Sequence, residues 1–344
     1  MIIGEFFCGR CLWVGELLEW PPLLPMATPM TDVSAKAVAV KFVEITADQA
    51  GQRIDNFLLA NLKGVPKSRI YRILRKGEVR VNGSRIKPEY KLRGGDRVRI
   101  PPVRVAERPV PVGPSPKLQR LLEESILYED SSLLVLDKPS GLAVHGGSGI
   151  NLGLIEALRA TRPSYSFLEL VHRLDRETSG CLIVAKKRSA LRYLQDEMRA
   201  RNVVKVYQTL VVGRWPKGMK RIDMPLLKKE VASGERVVKI HPDGKRSLTH
   251  FAVLQRFDNT TLMQATLGTG RTHQIRVHSK YAGCPLAGDD KYGDDQSNRA
   301  TKALGLKRMF LHAVKLEFKG PDGKKIRVEA PLPDELVSVL SSLG

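Results

Sequence analysis

Residues 172–180, HRLDRETSG, set one carboxylate, Asp175, between Arg173 and Arg176 and just ahead of a small-residue turn. Positive charge on both sides favours the ionised form of such an acid. A glycosidase would need two carboxylates with separate roles, and Glu177 is too close in sequence to be taken for a partner across a scissile bond. No G-x-S-x-G or G-x-x-x-x-G-K-[ST] segment is present, which argues against triad hydrolysis and P-loop nucleotide binding. His273 and His278 lie five apart without a carboxylate, so the H-E-x-x-H metal spacing is missing and no metal is expected. A lone carboxylate with arginines and no cofactor motif fits an isomerisation at a base, where nothing is hydrolysed. The residues alone leave a plainer role open, with Asp175 capping the turn and pairing with Arg173 or Arg176. Such surface pairs are common and weak.

Composition narrows the partner. The 344-residue chain carries 57 Lys+Arg against 36 Asp+Glu, a net charge of +21. That excess points to a polyanion, most commonly nucleic acid. Residues 41–104 alone hold 16 basic and 6 acidic side chains, whereas residues 1–40 hold 2 and 4. Four cysteines in a chain this long make no disulfide framework, so a cytoplasmic location is expected. Cys8 and Cys11 form a C-x-x-C with no second ligand pair nearby. No apolar run is long enough to span a membrane, and Glu5, Arg10, Glu16 and Glu19 interrupt any signal-peptide core.

The elements that must position Asp175 fall into four stretches. Residues 1–40 hold Trp13, Trp20 and a proline cluster, and read as a disordered or spurious extension, with translation expected to begin at Met26 or Met30. Residues 41–104 read as a compact α/β module. An amphipathic helix over 52–62 is followed by a second from Pro66 through Lys76, ended by Gly77. Strands around Val79, Val81, Val98 and Ile100 and an Asn82-Gly83 turn complete it. On the second helix Arg69, Arg72 and Arg75 with Lys76 share one face, and the basic density around them predicts RNA contact. Residues 105–124 read as an extended linker because of Pro109, Pro111, Pro114 and Pro116. From 125 to 344 short strands and helices alternate without a βαβ rhythm, which predicts an α+β domain: a mixed, largely antiparallel sheet with flanking helices. A basic stretch over 217–245 is expected to be a solvated loop, with RNA contact as the alternative.

Residues 172–180 closely resemble the signature of the RluA-type pseudouridine synthases, and five further segments match that family in order. They are K-P-S-G at 138–141 followed by Val144 and His145, KVYQTLV at 205–211, GRTHQIRVH at 270–278, GDDKYG at 288–293 and RMFLHA at 308–313. Residues 41–104 likewise resemble the S4 RNA-binding domain. The resemblance implies a cofactor-independent isomerisation of uridine to pseudouridine, with Asp175 as the catalytic carboxylate. It implies that Tyr207 lies against the extruded uracil, that Arg276 pairs with Asp175 and orients it, and that Arg173 fills the place the uridine leaves in the RNA. Ile275 would line the uracil pocket. The expected partner is 23S ribosomal RNA or a large-subunit precursor, met by a monomer. The competing expectations are a non-catalytic S4-type RNA-binding or ribosome-assembly factor, and the same chemistry on transfer RNA.

Overall fold

The computed structural model describes residues 39–62, 64–103, 113–146, 152–230 and 236–344. The expected N-terminal extension up to residue 38, its start codon, the last residue of the expected module, Arg104, and residues 105–112 of the expected linker lie outside the described residues.

The N-terminal module comprises β1 (Lys41–Glu44), α1 (Ile54–Asn61), α2 (Lys67–Arg75), β2 (Arg80–Val81), β3 (Ser84–Arg85) and β4 (Arg97–Ile100). Its strands form an antiparallel sheet in the order β1-β4-β2-β3. Ile54, Phe57 and Leu58 on α1, and Ile70, Ile73 and Leu74 on α2, recur at helical spacing and are all buried against Val79, Val81, Val98 and Ile100. Both expected helices are present, each trimmed by a residue or two. Asn82 (φ 50°) and Gly83 (φ 80°) make the left-handed pair that a two-residue hairpin turn requires.

The linker ends earlier than its prolines suggested. Residues Pro116–Glu124 form α3, whose Leu122 is fully buried in the core of the C-terminal domain. Proline is tolerated in the first helical turn, where its missing N–H would have no partner, and Ser115 caps that turn by accepting a hydrogen bond from the Leu118 N–H at 3.3 Å.

The C-terminal domain continues through β5 (Ile126–Glu129), β6 (Leu133–Lys138), α4 (Leu154–Thr161), β7 (Glu169–Leu170), β8 (Ser179–Ala185), α5 (Arg188–Ala200) and β9 (Val204–Val212). Then come β10 (Arg221–Asp223), β11 (Leu226–Glu230), β12 (Arg236–Ile240), β13 (Leu248–Arg256), β14 (Thr260–Leu267) and α6 (Gln274–Tyr281). The chain closes with α7 (Asp295–Ala303), β15 (Leu311–Lys319), β16 (Lys325–Glu329) and α8 (Asp334–Ser341). Among the described residues the main sheet runs β10-β13-β14-β9-β15-β8-β6-β5, with β16 against β15 and β7 against β8. Every pairing is antiparallel except β8 with β15. The expected mixed, largely antiparallel sheet is therefore what forms.

Core runs along both faces of this sheet. Leu182 and Val184 of β8, with Leu134 and Leu136 of β6, enter one cluster; Cys181, Ile183 and Ala185, with Leu133 and Val135, enter the opposite one. The period-two alternation of a strand sends neighbours to opposite faces, and a strand covered on both sides reads as one continuous apolar run. Stretch 217–245 is not simply a loop. It contributes edge strand β10 and the hairpin β11–β12, whose Leu226 and Val238 pack on Val277 of α6 and on Tyr292.

Candidate active site

The turn bearing Asp175 lies between β7 and β8, and the chain around it is fastened from beneath. The Lys138 ammonium, fully buried, donates to the carbonyls of Pro139 (2.7 Å), Leu142 (2.9 Å) and Arg176 (3.0 Å). Burial pushes its pKa down to about 7, and three carbonyl acceptors match the three ammonium protons. The Arg176 carbonyl also accepts from the Gly141 N–H (2.9 Å), while the Glu177 carbonyl accepts from Ser140 Oγ (2.8 Å) and Arg308 Nη1 (3.2 Å). Gly180 enters β8 at φ +105°, where a Cβ would lie 2.3 Å from the Ala313 carbonyl oxygen. Only glycine allows β8 and β15 to approach so closely.

Two other elements complete the wall. β9 lies beside β14, with Tyr207 opposite Ala265, so the ring sits centrally in the sheet. Beyond β14, Gln274 holds the turn into α6: its Oε1 accepts from Thr269 Oγ1 (2.7 Å) and the Arg271 N–H (3.0 Å), and its Nε2 donates to the Leu248 carbonyl (2.8 Å). The first turn of α6 then presents Ile275 and Arg276 to the same space. The result is a cleft of about 460 Å³ bordered by Arg173, Asp175, Lys205, Tyr207, His273, Ile275 and Arg276 among others. Its size lies in the ordinary range for a small-molecule or base pocket.

Asp175 makes no ion pair with either sequence neighbour. Arg176 turns to Glu177 (3.2 Å), and Arg173 is exposed at the cleft rim, its side chain without a hydrogen bond or ion pair among the described residues. The groups facing Asp175 come from α6 and its approach: Arg276 Nη1 and His273 Nε2 each stand 3.7 Å from Oδ2. Those are charge-range contacts rather than hydrogen bonds.

Arg276 has a tighter partner that the sequence reading did not find. Asp289, 1% exposed, accepts from Arg276 Nε (2.8 Å) and Nη2 (2.7 Å), and its Oδ1 also accepts the N–H groups of Lys291 and Tyr292 at 3.0 Å. Burial alone would raise the Asp289 pKa, but the paired guanidinium holds it below the usual carboxylate range; Arg276 in turn is raised despite its burial. His273, set aside at the sequence level as a poor metal ligand, and Tyr292 also belong to this group. The GDDKYG segment marked the neighbourhood of Asp289 and Tyr292, but nothing local tied either one to Arg276 or His273.

Tyr207 is 7% exposed, and burial, then the charge of Asp175, raise its pKa. Lys205 and Tyr207 both border the cleft from β9, as alternation predicts, whereas Thr209 is buried with its hydroxyl donating to the Phe310 carbonyl (2.7 Å). Ile275, 4% exposed, is at once cleft wall and core. On the N-terminal module, Arg69, Arg72 and Arg75 border one shallow depression with Pro66 and Pro102, and Lys76 lies exposed just beyond them.

An α-helical and β-sheet module rich in arginine, joined to a mixed-sheet domain with one acid in a basic cleft, defines an RNA-modifying enzyme class, and family models agree. Residues 132–281 match the RNA pseudouridylate synthase family and residues 52–98 the S4 domain. The chain is 57% identical over 309 residues to the ribosomal large subunit pseudouridine synthase C of Pasteurella multocida, covering 89% of this chain and 94% of that protein. It is 55% identical to the protein of that name in Haemophilus influenzae, covering 91% and 99%. Among solved structures, human RNA pseudouridylate synthase domain containing 4 is 29% identical, with a TM-score of 0.55 over 66% of this chain and 95% of that one. The chain belongs to the RNA pseudouridylate synthase family and is a pseudouridine synthase, an intramolecular isomerase.

Proposed function

We propose that the protein converts specific uridines of 23S ribosomal RNA to pseudouridine, acting as a monomer in the cytoplasm, with Asp175 as the catalytic carboxylate. One observation carries this reading. Asp175 is the sole acid among the described residues that border the cleft, where Arg173, Arg199, Arg201, Lys205, Arg271 and Arg276 supply positive charge. Basic walls favour phosphates; an acid set among them opposes RNA binding and so calls for a chemical reason.

The reaction balances without a co-reactant. The N1–C1′ bond of uridine breaks, the base turns, a C5–C1′ bond forms, the C5 proton leaves and N1 gains one. Asp175 acts at the breaking bond. Tyr207 and Ile275 supply a flat and an apolar surface for the uracil, and Arg276 orients the carboxylate. Extruding a base costs a few kcal/mol, and Arg173, whose side chain has no partner among the described residues, is suited to stack and hydrogen-bond where the base had been. Arg69, Arg72, Arg75 and Lys76 add phosphate contacts remote from the chemistry. Large-subunit RNA as substrate is supported by the names of the bacterial relatives.

Asp175→Asn abolishes tritium release from RNA labelled at uracil C5 while leaving RNA affinity within about threefold, since carboxylate and amide are nearly isosteric. Appreciable turnover by that variant would refute the role. Pseudouridine mapping of ribosomal RNA from cells with and without the gene identifies the uridines, and unchanged large-subunit sites would move the substrate to transfer RNA.

A further inference from the structure

We infer that His273 is a positioning residue for Asp175: it presents its Nε2–H to the carboxylate oxygen that also faces Arg276, and so leaves the other oxygen for the substrate. This rests on the reading of Asp175 as the catalytic acid.

The tautomer follows from hydrogen-bond accounting. The Tyr292 hydroxyl accepts the Val238 N–H at 3.1 Å and lies 2.7 Å from His273 Nδ1. A phenol has one proton to give, and Nδ1 is the acceptor within its reach among the described residues, so that proton is assigned to the Tyr292–Nδ1 bond. That assignment puts the ring proton of His273 on Nε2, the atom that stands 3.7 Å from Asp175 Oδ2. Burial lowers the His273 pKa, which favours the neutral ring beside the Arg276 cation.

Placement of the ring is specified by its backbone as well. His273 adopts φ +53°, in the left-handed region that a β-carbon disfavours, at the residue that caps α6. Strain of this kind persists where the surroundings dictate it. Here the surroundings are Tyr292, whose ring meets the imidazole edge-on at 5.4 Å between centroids and also carries the Arg276 guanidinium at 4.9 Å. One tyrosine thus touches both groups that confront Asp175. Both converge on Oδ2, and no described residue hydrogen-bonds to Oδ1. Among the described residues the two carboxylate oxygens are therefore inequivalent: Oδ2 faces His273 and Arg276, and Oδ1 has no hydrogen-bond partner. At 3.7 Å neither contact is yet a hydrogen bond; contacts of this kind tighten when a substrate closes the site.

The test separates positioning from structure. His273→Asn tolerates the left-handed backbone and keeps an amide within reach of Tyr292, but carries no donor as far as Nε2. His273→Gln restores a donor at that reach. Single-turnover tritium release with enzyme in excess, RNA dissociation constants and thermal midpoints are measured for both. The expected result is a roughly ten- to hundredfold rate loss for His273→Asn, with RNA affinity and thermal midpoint unchanged, and recovery to within about threefold of wild type in His273→Gln. A wild-type rate in His273→Asn overturns the inference, as does a rate loss that tracks lost stability or lost RNA affinity. Nitrogen-15 NMR showing the proton on Nδ1 overturns it too. Asp175→Asn measured alongside keeps the two readings distinct: its activity would fail the assignment of Asp175 whatever His273 does.

Discussion

Arg276 illustrates how a single side chain is divided between holding and acting. Its Nε and Nη2 are committed to Asp289 in a two-pronged pair, which leaves Nη1 turned toward Asp175. A guanidinium fixed along one edge cannot swing, so the group that faces Asp175 is held in place by a buried carboxylate. Removing one member of a buried pair strands the other, at a cost of about 3–5 kcal/mol. Asp289→Ala should therefore lose stability of that order in urea titration, together with most single-turnover activity. A loss below about 1 kcal/mol would mean the pair behaves like a surface bridge and that Arg276 is held by something else.

At the scale of elements, the Asp175 turn is tied to its sheet through two buried histidines, His172 in the loop after β7 and His312 on β15, both kept neutral. His172 Nε2 accepts the Ile183 N–H (3.1 Å), and His312 Nδ1 accepts from Ser179 Oγ (2.9 Å) while its Nε2 donates to the Ala330 carbonyl (3.2 Å). Burial lowers both pKa values from 6.5 to about 4. A histidine depressed on folding binds fewer protons than in the unfolded chain between those two values. Its stability contribution is therefore complete above pH 6.5 and is lost as pH falls toward 4. The ring C2–H resonances of both residues should stay flat from pH 8 to 5, and the unfolding free energy should decline as pH drops through the window from 6.5 to 4. Titration of either ring near 6.5 would contradict this.

The same elements show what could be read in advance. Helices α1 and α2 were legible because Ile54, Phe57 and Leu58, and Ile70, Ile73 and Leu74, carry their packing in local spacing. Helix α3 was missed because Pro114 and Pro116 were read as linker, although Ser115-Pro116 is a helix start and Leu118 and Leu122 supply its core-facing side. Asp175, Tyr207 and Arg276 stood out through motif resemblance. Asp289, Tyr292 and His273 did not, since Asp289 acquires its meaning only from Arg276, and Tyr292 and His273 from a tyrosine hydroxyl shared with the Val238 N–H of a distant hairpin.

Over the whole molecule, α5 links the two basic surfaces. Near its start, Arg188 Nη1 donates to Gln52 Oε1 (3.0 Å) and Arg192 Nη1 to the Ala50 carbonyl (3.2 Å) of the N-terminal module, while Arg199 and Arg201 at its end border the active cleft. Thirteen helical residues span about 20 Å, so this helix sets the distance between the module and Asp175. RNA long enough to reach both would exchange counterions at both. Each phosphate contact contributes about 0.7 to 0.9 to the slope of log affinity against log salt. Replacing Arg69, Arg72 and Arg75 by Gln should therefore flatten that slope by about 2 to 3 and weaken RNA binding at low salt. These side chains are exposed or half-buried on α2 and none borders the cleft, so tritium release at saturating enzyme should match wild type. An unchanged slope would show that this face of α2 does not meet phosphate. A slope that flattens together with a fall in the saturated rate would mean instead that the module directs the uridine into the cleft, with α5 transmitting its placement.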